Sequence, residues 1–447
     1  MKIDMPEKAR QIVDCLIEHG FEAYIVGGCV RDFVLGKEPK DWDITTSATP
    51  YQVKSLFPRT IDTGIEHGTV TVMCGKEGYE VTTYRIDGKY EDHRRPTEVT
   101  FTASLTEDLK RRDFTINAMA YNDKEGIIDQ FNGIEDLKNG VIRCVGNPGE
   151  RFDEDALRIL RAIRFSAQLG FAIEDNTRKA IILQSFFLKD ISAERIQVEL
   201  TKLLVSNYPE KLKDAYEMGV TAVVLPEFDE MMRTEQHNPY HIYNVGDHTI
   251  EVIKAIEAQP ILRWAALLHD VAKPDTKTTD EEGVDHFICH QEVGIRKAEE
   301  VLRRMKLDNY TIEQVKRLVK WHDYGIFKVP TKNSFRKTLS KMGIDLFEDY
   351  VKIKTADIMG QSEFNKYEKL AILDKLELMY REILEDKDCL TIKDLDINGK
   401  QLMELGVEQG PKMKVVFNEL LTKVLEEPEL NQYEHLSKLV SNINKEL

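Results

Sequence analysis

Two glycines and two aspartates, close together in the first fifty residues, are the residues of this chain best suited to chemistry on a phosphate. They stand in Ile25-Val26-Gly27-Gly28-Cys29-Val30-Arg31-Asp32 and in Asp41-Trp42-Asp43-Ile44-Thr45-Thr46. The apolar run 23–26 reads as a strand, and Gly27 and Gly28 then permit a sharp turn and close approach of the backbone to a ligand. Residues 30–35 begin a helix whose free N–H groups face whatever lies over the glycines, a seat for phosphate. Asp41 and Asp43 are two apart in an Ile/Thr-rich stretch, so on a strand both carboxylates point to one face. Two hard oxygen ligands beside a phosphate seat suit Mg²⁺, which takes one or two carboxylates together with substrate phosphates. The chemistry this implies is nucleotidyl transfer, with the metal easing attack at phosphorus and departure of pyrophosphate. For either half alone, a Gly-Gly turn or a solvated Asp-rich loop is the plainer reading.

Three further segments extend the argument. Tyr79-Glu80-Val81-Thr82-Thr83-Tyr84-Arg85 alternates like a strand and presents Glu80 as a base or a third metal ligand; an edge-strand Glu in water looks the same. Lys110-Arg111-Arg112-Asp113-Phe114-Thr115-Ile116-Asn117-Ala118 carries paired arginines, whose guanidinium forks bind phosphate bidentately, although a solvated helix start has the same pattern. In residues 151–164, Asp155, Arg158 and Arg161 fall at i, i+3 and i+6, close to one stripe if the segment is one helix. Ion pairs on a solvated face are the alternative there.

A second set of ligand-type residues lies downstream. Seven of the eleven histidines fall between His237 and His322. The adjacent pair His269-Asp270 ends an apolar helix, and His248, His290, His322 and Asp357 are distant partners on other helices. That arrangement suits a divalent metal held in a bundle, whereas a lone histidine is more often a satisfied core residue.

The elements that must position these residues are of two kinds. Short β-type runs at 24–26, 42–45, 68–73, 79–84, 127–129 and 141–145 alternate with turns, and after Pro148 amphipathic helical periodicity persists to the end. The expected fold is α+β, a small N-terminal sheet domain followed by about 300 helical residues. A length of 447 residues suggests about three domains. Breaks fall near 146–148, 207–209, 238–239 and 330–333, where Gly, Pro and Asn collect. No apolar run nears ~20 residues and the first ten lack a signal-peptide layout, so no membrane role is expected. Six scattered cysteines without a C-x-x-C pair argue against a disulfide framework and for a cytoplasmic location. A net charge of −16 argues against indiscriminate nucleic-acid binding, though not against reading one shaped RNA through a few basic spots.

Taken in order, G-G-x-V-R-D (27–32), D-x-D (41–43), R-R-D-F-T-x-N-A (111–118) and E-D-x-x-R-x-x-R-x-x-R (154–164) resemble the class II tRNA nucleotidyltransferases. These are the CCA-adding enzymes of the polymerase-β-like superfamily, with bacterial poly(A) polymerases as close relatives. The resemblance implies a nucleotidyltransferase head at 1–147, a helical neck at 148–208, a body at 209–330 and a tRNA-binding tail at 331–447. It implies Asp41 and Asp43 as Mg²⁺ ligands, and Gly27, Gly28, Arg31 and Arg112 at the triphosphate. Asp155 and Arg158 become a protein template for the incoming base, supported by Arg161 and Arg164. A carboxylate accepts from the exocyclic amine of cytosine or adenine, while a guanidinium donates to a ring nitrogen or carbonyl. The implied partners are tRNA, CTP and ATP, with no obligate protein partner. The polar segment 85–96 resembles the family's flexible loop that helps switch from CTP to ATP. Residues 396–400 and 405–412 resemble its tail segment near the tRNA elbow.

The order H…HD…D resembles the HD phosphohydrolase superfamily, with its last ligand near 357. It implies His248, His269, Asp270 and Asp357 as ligands of a divalent transition metal or Mg²⁺, His290 and His322 as ligands of a second ion, and Lys273 at a substrate phosphate. Such fusions imply phosphatase or 2′,3′-cyclic phosphodiesterase chemistry at tRNA ends. Two rivals stand beside this reading: a poly(A) polymerase or partial, A-adding transferase, and a metal phosphohydrolase whose head only docks RNA.

Overall fold

The computed structural model describes all residues except 1, 89, 92–94, 97–98, 326–327 and 447, and the side chains of 87, 90–91, 95–96 and 444–446 are likewise left aside. The chain divides into two compact units, Met1–Asp229 with Arg304–Lys306, and Glu230–Arg303 with Leu307–Leu447.

The first unit is built on a mixed sheet of seven strands. In spatial order these are Gly126–Asp129, Met119–Asn122, Ala23–Val26, Ile44–Thr46, Glu77–Thr83, Thr69–Cys74 and Thr60–Gly64. All four residues of Ala23–Val26 are buried, as a central strand covered on both faces requires. Ile44–Thr46 runs antiparallel to it and parallel to Glu77–Thr83, with Ile44 opposite Val81. Two of these strands lie outside the runs expected from sequence. Thr60–Gly64 is a largely exposed edge with a single apolar residue, so it shows no alternation. Met119–Asn122 is fully buried and follows a 3₁₀ turn, Thr115–Asn117, which disguises where the strand begins.

The aspartate pair requires a correction. The strand starts at Ile44, so Asp41 and Asp43 precede it instead of sharing a strand face. One backbone bond reaches back: Val26 N–H donates to the Asp43 carbonyl at 2.9 Å.

A second correction concerns residues 151–164, which are two helices. Pro148–Glu154 ends where Asp155 turns to extended backbone (φ −143°, ψ 102°), and Leu157–Leu169 begins afresh. Asp155 therefore leaves the stripe expected for it, because its own carboxylate accepts the Leu157 N–H at 3.1 Å and offers the backbone an alternative to the helix. Leu157–Leu169 buries Leu157, Leu160, Ile163 and Ala167 and packs beside Ala193–Leu204.

In the second unit Val245–Ala255, Pro260–Leu268, Asn309–Trp321 and Phe347–Met359 pack together. Pro260–Leu268 buries every residue from Leu262 to Leu268, with Trp264 wholly enclosed, as befits a helix that is apolar nearly all round. Toward the C-terminus, Leu402, Val416, Leu420, Val424, Leu436 and Val440 form a cluster of their own. Among the described residues no helix is long and apolar enough to cross a membrane.

Candidate active site and candidate metal centre

In the first unit Asp41, Asp43 and Glu80 line one open hollow of about 670 Å³, with Lys40, Trp42 and Tyr79 around them. The parallel register sets Glu80 level with Asp43, since Ile44 lies opposite Val81. Desolvation of the Asp43 carboxyl by its surroundings pushes its pKa up, Arg112 opposes this, and Glu80 and Asp41 add to it. An oxygen-only donor set crowded enough to repel itself fits Mg²⁺, which relieves the repulsion and leaves positions for water and phosphate.

The glycine turn makes space for cations. Gly27 has φ +81°, and a Cβ there would lie 3.0 Å from Arg112 Nη1; one on Gly28 would lie 3.7 Å from Arg31 Nη2. Arg112 is held from behind by the wholly buried Asp108, 3.6 Å from its Nη2, and Asp108 also accepts from Arg111 and from Thr45 Oγ1. Arg31 Nη1 donates to Asn117 Oδ1 at 2.7 Å, Asn117 Nδ2 to Asp113 Oδ1 at 3.3 Å, and Arg161 Nε to Asp113 Oδ2 at 2.7 Å. Arg158 Nη2 donates to the Arg111 carbonyl at 3.0 Å. One hydrogen-bonded run thus joins the glycine turn, the paired arginines and the helix Leu157–Leu169. Burial would raise the Asp113 pKa, but Arg161 and Arg158 outweigh it and bring the carboxyl down to about 2.

Asp155 and Arg158 do not pair with each other. Arg195 Nη2 lies 2.7 Å from Asp155 Oδ2, and Arg158 pairs with Glu154. Arg164 pairs with Glu199 and donates to Gln168. Phe165 sits among three guanidinium groups, those of Arg31 at 5.2 Å, Arg161 at 5.5 Å and Arg164 at 3.8 Å from the ring centre. Sequence reasoning gave no site role to Asp108, Phe165, Arg195 or Glu199, nor to Glu154, which stood inside the E-D-x-x-R motif. Asp113 and Asn117 stood inside a motif without a role, and nothing local marks Arg195. Of the segment 85–96, residues 89 and 92–94 lie outside the described residues.

In the second unit the six ligand-type residues His248, His269, Asp270, His290, His322 and Asp357 are all buried and meet at one place. His248 comes from Val245–Ala255, His269 and Asp270 from the end of Pro260–Leu268, and His290 from the start of His290–Arg304. His322 follows Asn309–Trp321, and Asp357 lies on Phe347–Met359. Every one of the four imidazoles places Nδ1 against a backbone carbonyl: Gly360 at 3.1 Å, Ala266 at 2.7 Å, Phe287 at 2.8 Å and Val319 at 2.7 Å, in chain order. In a neutral ring this fixes the proton on Nδ1 and leaves Nε2 as a bare acceptor. Yet Nε2 of His248 lies 3.4 Å from that of His269, and Nε2 of His290 lies 3.1 Å from that of His322. Two lone pairs so close repel unless a proton or a cation lies between them.

Asp270 serves both pairs. Its Oδ2 is 3.2 Å from His269 Nε2, and its Oδ1 is 3.4 Å from His290 Nε2. Asp357 Oδ1 is 3.2 Å from His248 Nε2. Two three-ligand groups result, His248/His269/Asp357 and Asp270/His290/His322, and this mixed nitrogen and oxygen donor set fits a divalent transition metal. Lys273 Nζ lies 2.8 Å from Asp270 Oδ2, Lys354 Nζ lies 3.2 Å from Asp357 Oδ2, and Gln361 donates to Asp357 Oδ1 at 2.9 Å. Burial would raise both carboxyls, but His269 and Lys273 hold Asp270, and Lys354 holds Asp357, well below the usual range. Over the cluster lies a cavity of about 280 Å³ lined by Tyr240, His241, Lys273 and Phe287 among others. His241, passed over by sequence reasoning, is driven down to about 2 by burial and by Lys273, whose Nζ is 3.5 Å from its Nε2.

Comparison with known proteins extends the picture. Residues 23–143 match the family described as Poly A polymerase head domain, 170–232 the one described as Probable RNA and SrmB- binding site of polymerase A, and 276–440 the one described as tRNA nucleotidyltransferase domain 2 putative. The chain is 37% identical to the CCA-adding enzyme of Ligilactobacillus salivarius over 425 residues, covering 89% of this chain and 97% of that one. It is 34% identical to the CCA-adding enzyme of Lactobacillus helveticus, covering 98% and 97%. Among solved structures, the Bacillus stearothermophilus CCA-adding enzyme in complex with CTP matches with a TM-score of 0.71 at 29% identity, over 100% of this chain and 99% of that one. The Thermotoga maritima CCA-adding enzyme complexed with tRNA shares the fold, at a TM-score of 0.60 and 21% identity over 98% and 96%. Near-complete coverage at such identity, joined to a sheet-bearing first unit with the motifs linked side by side, places the chain in the family of CCA-adding enzymes, which are nucleotidyltransferases.

Proposed function

We propose that this chain adds cytidine, cytidine and adenosine to the 3′ ends of tRNA from CTP and ATP, without a nucleic-acid template and with release of pyrophosphate. The observation that carries the reading is the run Arg31–Asn117–Asp113–Arg161, which gathers cations and carboxylates from three distant segments, with Arg112 acting on both Asp113 and Asp43. Asp41 and Asp43 would hold Mg²⁺, whose charge eases attack at the α-phosphate and loss of pyrophosphate. Gly27 and Gly28 keep the turn clear of side chains, so that Arg31 and Arg112 meet the triphosphate. Glu80 takes the proton of the attacking ribose hydroxyl. Asp155 accepts from the exocyclic amine of cytosine or adenine, Arg158 donates to the neighbouring ring atom, and Arg161 and Arg164 fix the helix that carries it. Residues 1–147 act as head, 148–208 as neck, 209–330 as body and 331–447 as tRNA-binding tail, in the cytoplasm.

The test uses tRNA transcripts ending before CCA, after C and after CC, incubated with Mg²⁺ and CTP, ATP or both, with products sized at single-nucleotide resolution. Growth to CCA and a halt there is the expected result. A ladder of A on any RNA would make the chain a poly(A) polymerase, and arrest at CC a partial adder. Deletion of residues 87–94 is expected to stop synthesis after two cytidines, and normal A addition by that variant would refute the role of the segment.

A second reading is favoured by the paired Nε2 contacts of the four histidines. The second unit binds divalent metal through His248, His269 and Asp357 and through Asp270, His290 and His322, and hydrolyses phosphate esters at RNA ends, with Lys273 at the phosphate. Metal analysis of the purified chain, with hydrolysis of a 2′,3′-cyclic nucleotide and of p-nitrophenyl phosphate under Mn²⁺, Ni²⁺ or Mg²⁺, tests it. Absence of both bound metal and turnover would sink it.

A further inference from the structure

Tyr240 lines the cavity over the metal-ligand cluster of the second unit, and the residues around it hold its ring in place. Its N–H donates to Asn238 Oδ1 at 3.0 Å, and its carbonyl accepts the Ser362 N–H at 2.8 Å. Ser362 Oγ donates to the Pro239 carbonyl at 2.6 Å, so two bonds tie residues 239–240 to the loop that follows Phe347–Met359. The ring meets Phe364 edge to face, with centres 5.2 Å apart, and Lys369 Nζ lies 4.4 Å from its centre.

Lys369 is the unusual member of this group. It is 7% exposed and, among the described residues, pairs with no carboxylate. Its Nζ donates to Gln361 Oε1, and Gln361 Nε2 donates to Asp357 Oδ1 at 2.9 Å. A buried ammonium without a carboxylate costs free energy, and the face of an aromatic ring offsets part of that cost. Lys369 lies outside the lining of the cavity, whereas Tyr240 and Gln361 belong to it. The cation therefore takes one face of the ring, and the other face is left to the cavity.

The same cavity is lined by Asp270, His290, His322 and Asp357, with Lys273 among them. Its volume of about 280 Å³ is close to the lower bound of small-molecule sites, roughly 300 Å³, and suits one nucleoside unit instead of a folded strand. A ligand that sets its phosphate on the metal ligands' side, beside Lys273, has the Tyr240 ring within the same enclosure for the rest of its body. A flat ring with one face open binds a nucleobase by stacking, whatever the base. We infer that Tyr240 is the base-stacking residue of this second site, whose substrates are then phosphate esters of a nucleoside, the last residue of an RNA end, and not phosphate esters in general. The inference rests on the reading of the second unit as a phosphohydrolase.

The experiment uses the full chain with Mn²⁺, Ni²⁺ or Mg²⁺ and compares esters with and without a base. Adenosine 2′,3′-cyclic phosphate is set against glycerol 1,2-cyclic phosphate, and adenosine 3′-phosphate against glycerol 2-phosphate. The unaltered chain should show a KM about tenfold lower for the adenosine member of the pair it hydrolyses. Tyr240→Ala should raise that KM about tenfold, change kcat by less than about threefold, and move the KM of the glycerol ester by less than about threefold. Tyr240→Leu, which keeps apolar volume but no ring, should do the same, and Tyr240→Phe should behave as the unaltered chain. Bound metal, read by elemental analysis, should not change in any of them. An equal loss on both esters would overturn the inference, as would full adenosine affinity in Tyr240→Ala, or a loss in Tyr240→Phe as large as in Tyr240→Ala. Metal lost from both Tyr240→Ala and Tyr240→Leu would make the ring part of the framework of the metal centre, which also overturns it. If the metal-loaded chain hydrolyses none of these esters, the phosphohydrolase reading falls and the inference with it. If it hydrolyses both members of a pair with equal KM, that reading stands and only the role of Tyr240 falls.

Discussion

Asp41 and Asp43 stand at the rim of an open hollow, on backbone that has not yet entered its strand, whereas Asp270 and Asp357 lie wholly inside a helical bundle with cations against them. On the proposed reading of the two sites, the difference follows from who supplies the metal's ligands. Carboxylates that share a metal with substrate phosphate have to stay reachable, and hydration covers their charge until the substrate arrives. A centre that supplies six protein ligands can be buried, but each buried carboxylate then needs a fixed counter-charge, because an unpaired one costs several kcal/mol. Lys273 and Lys354 meet that need, one for each aspartate. The first site is therefore shaped by what enters it, and the second by the helices around it.

The largest expected effect sets the two sites apart most cleanly. Asp41→Ala or Asp43→Ala should lower nucleotide addition by about 10³-fold or more, as loss of a metal ligand at the reacting centre does. Metal content of the second unit should not change. Primer extension and elemental analysis on one preparation read both. Ester hydrolysis that survives Asp41→Ala and is lost in His269→Ala, with no nucleotide addition by the unaltered chain, would instead favour the phosphohydrolase rival.

The converse variant acts on stability. Asp270→Ala leaves Lys273 buried without its carboxylate, and about 3–5 kcal/mol of stability should be lost from the second unit. The milder His269→Ala should remove metal and ester hydrolysis while addition to tRNA continues. Urea melts followed with metal analysis would check both.

Next in size is the acid response of the first unit. Asp113 has a folded pKa of about 2, against about 3.9 for an unfolded aspartate. The folded value is depressed, so the stability it adds, about 2–3 kcal/mol, is fully present above pH ~4 and is lost as the pH falls through about 2. Asp113→Asn should be less stable than wild type at pH 6, with the gap closing toward pH 2. A gap that does not vary with pH would mean that Arg161 and Arg158 do not hold this carboxylate.

The smallest effect concerns Phe165. Replacement by leucine keeps most of the buried apolar volume but removes the ring that faces Arg31, Arg161 and Arg164, and should cost about 1–2 kcal/mol. A thermal melt at two salt concentrations would read it, with little salt dependence expected because the ring is buried.

The division into a sheet-bearing part and a long helical part was legible because strand and helix periods differ, and the change of period at Pro148 needs no tertiary knowledge. Strand Thr60–Gly64 was not legible, since an exposed edge need not alternate. Met119–Asn122 was hidden because a buried strand following a 3₁₀ turn reads as one apolar run. The break at Asp155 escaped for a related reason: i, i+3 and i+6 spacing is compatible with one helix, and only a side chain bonding the backbone two residues on reveals that there are two.

What the sequence by itself determined is the chemical inventory and its order: glycines at a turn, a D-x-D pair, paired arginines, and histidines gathered downstream beside an adjacent His-Asp. These are properties of residue type and spacing, which act locally. Some charge pairs are local, Asp270 with Lys273 and Asp357 with Lys354 each three residues apart, but the long-range pairings were decided only by tertiary structure. Arg195 with Asp155, Arg161 with Asp113, and Arg31 against Phe165 are meetings between segments distant in the chain, and no local pattern encodes them. The physical reason is that a charge buried by folding takes its partner from whichever helix packs nearest, and that neighbour is chosen by the apolar faces of the helices, not by the charges themselves.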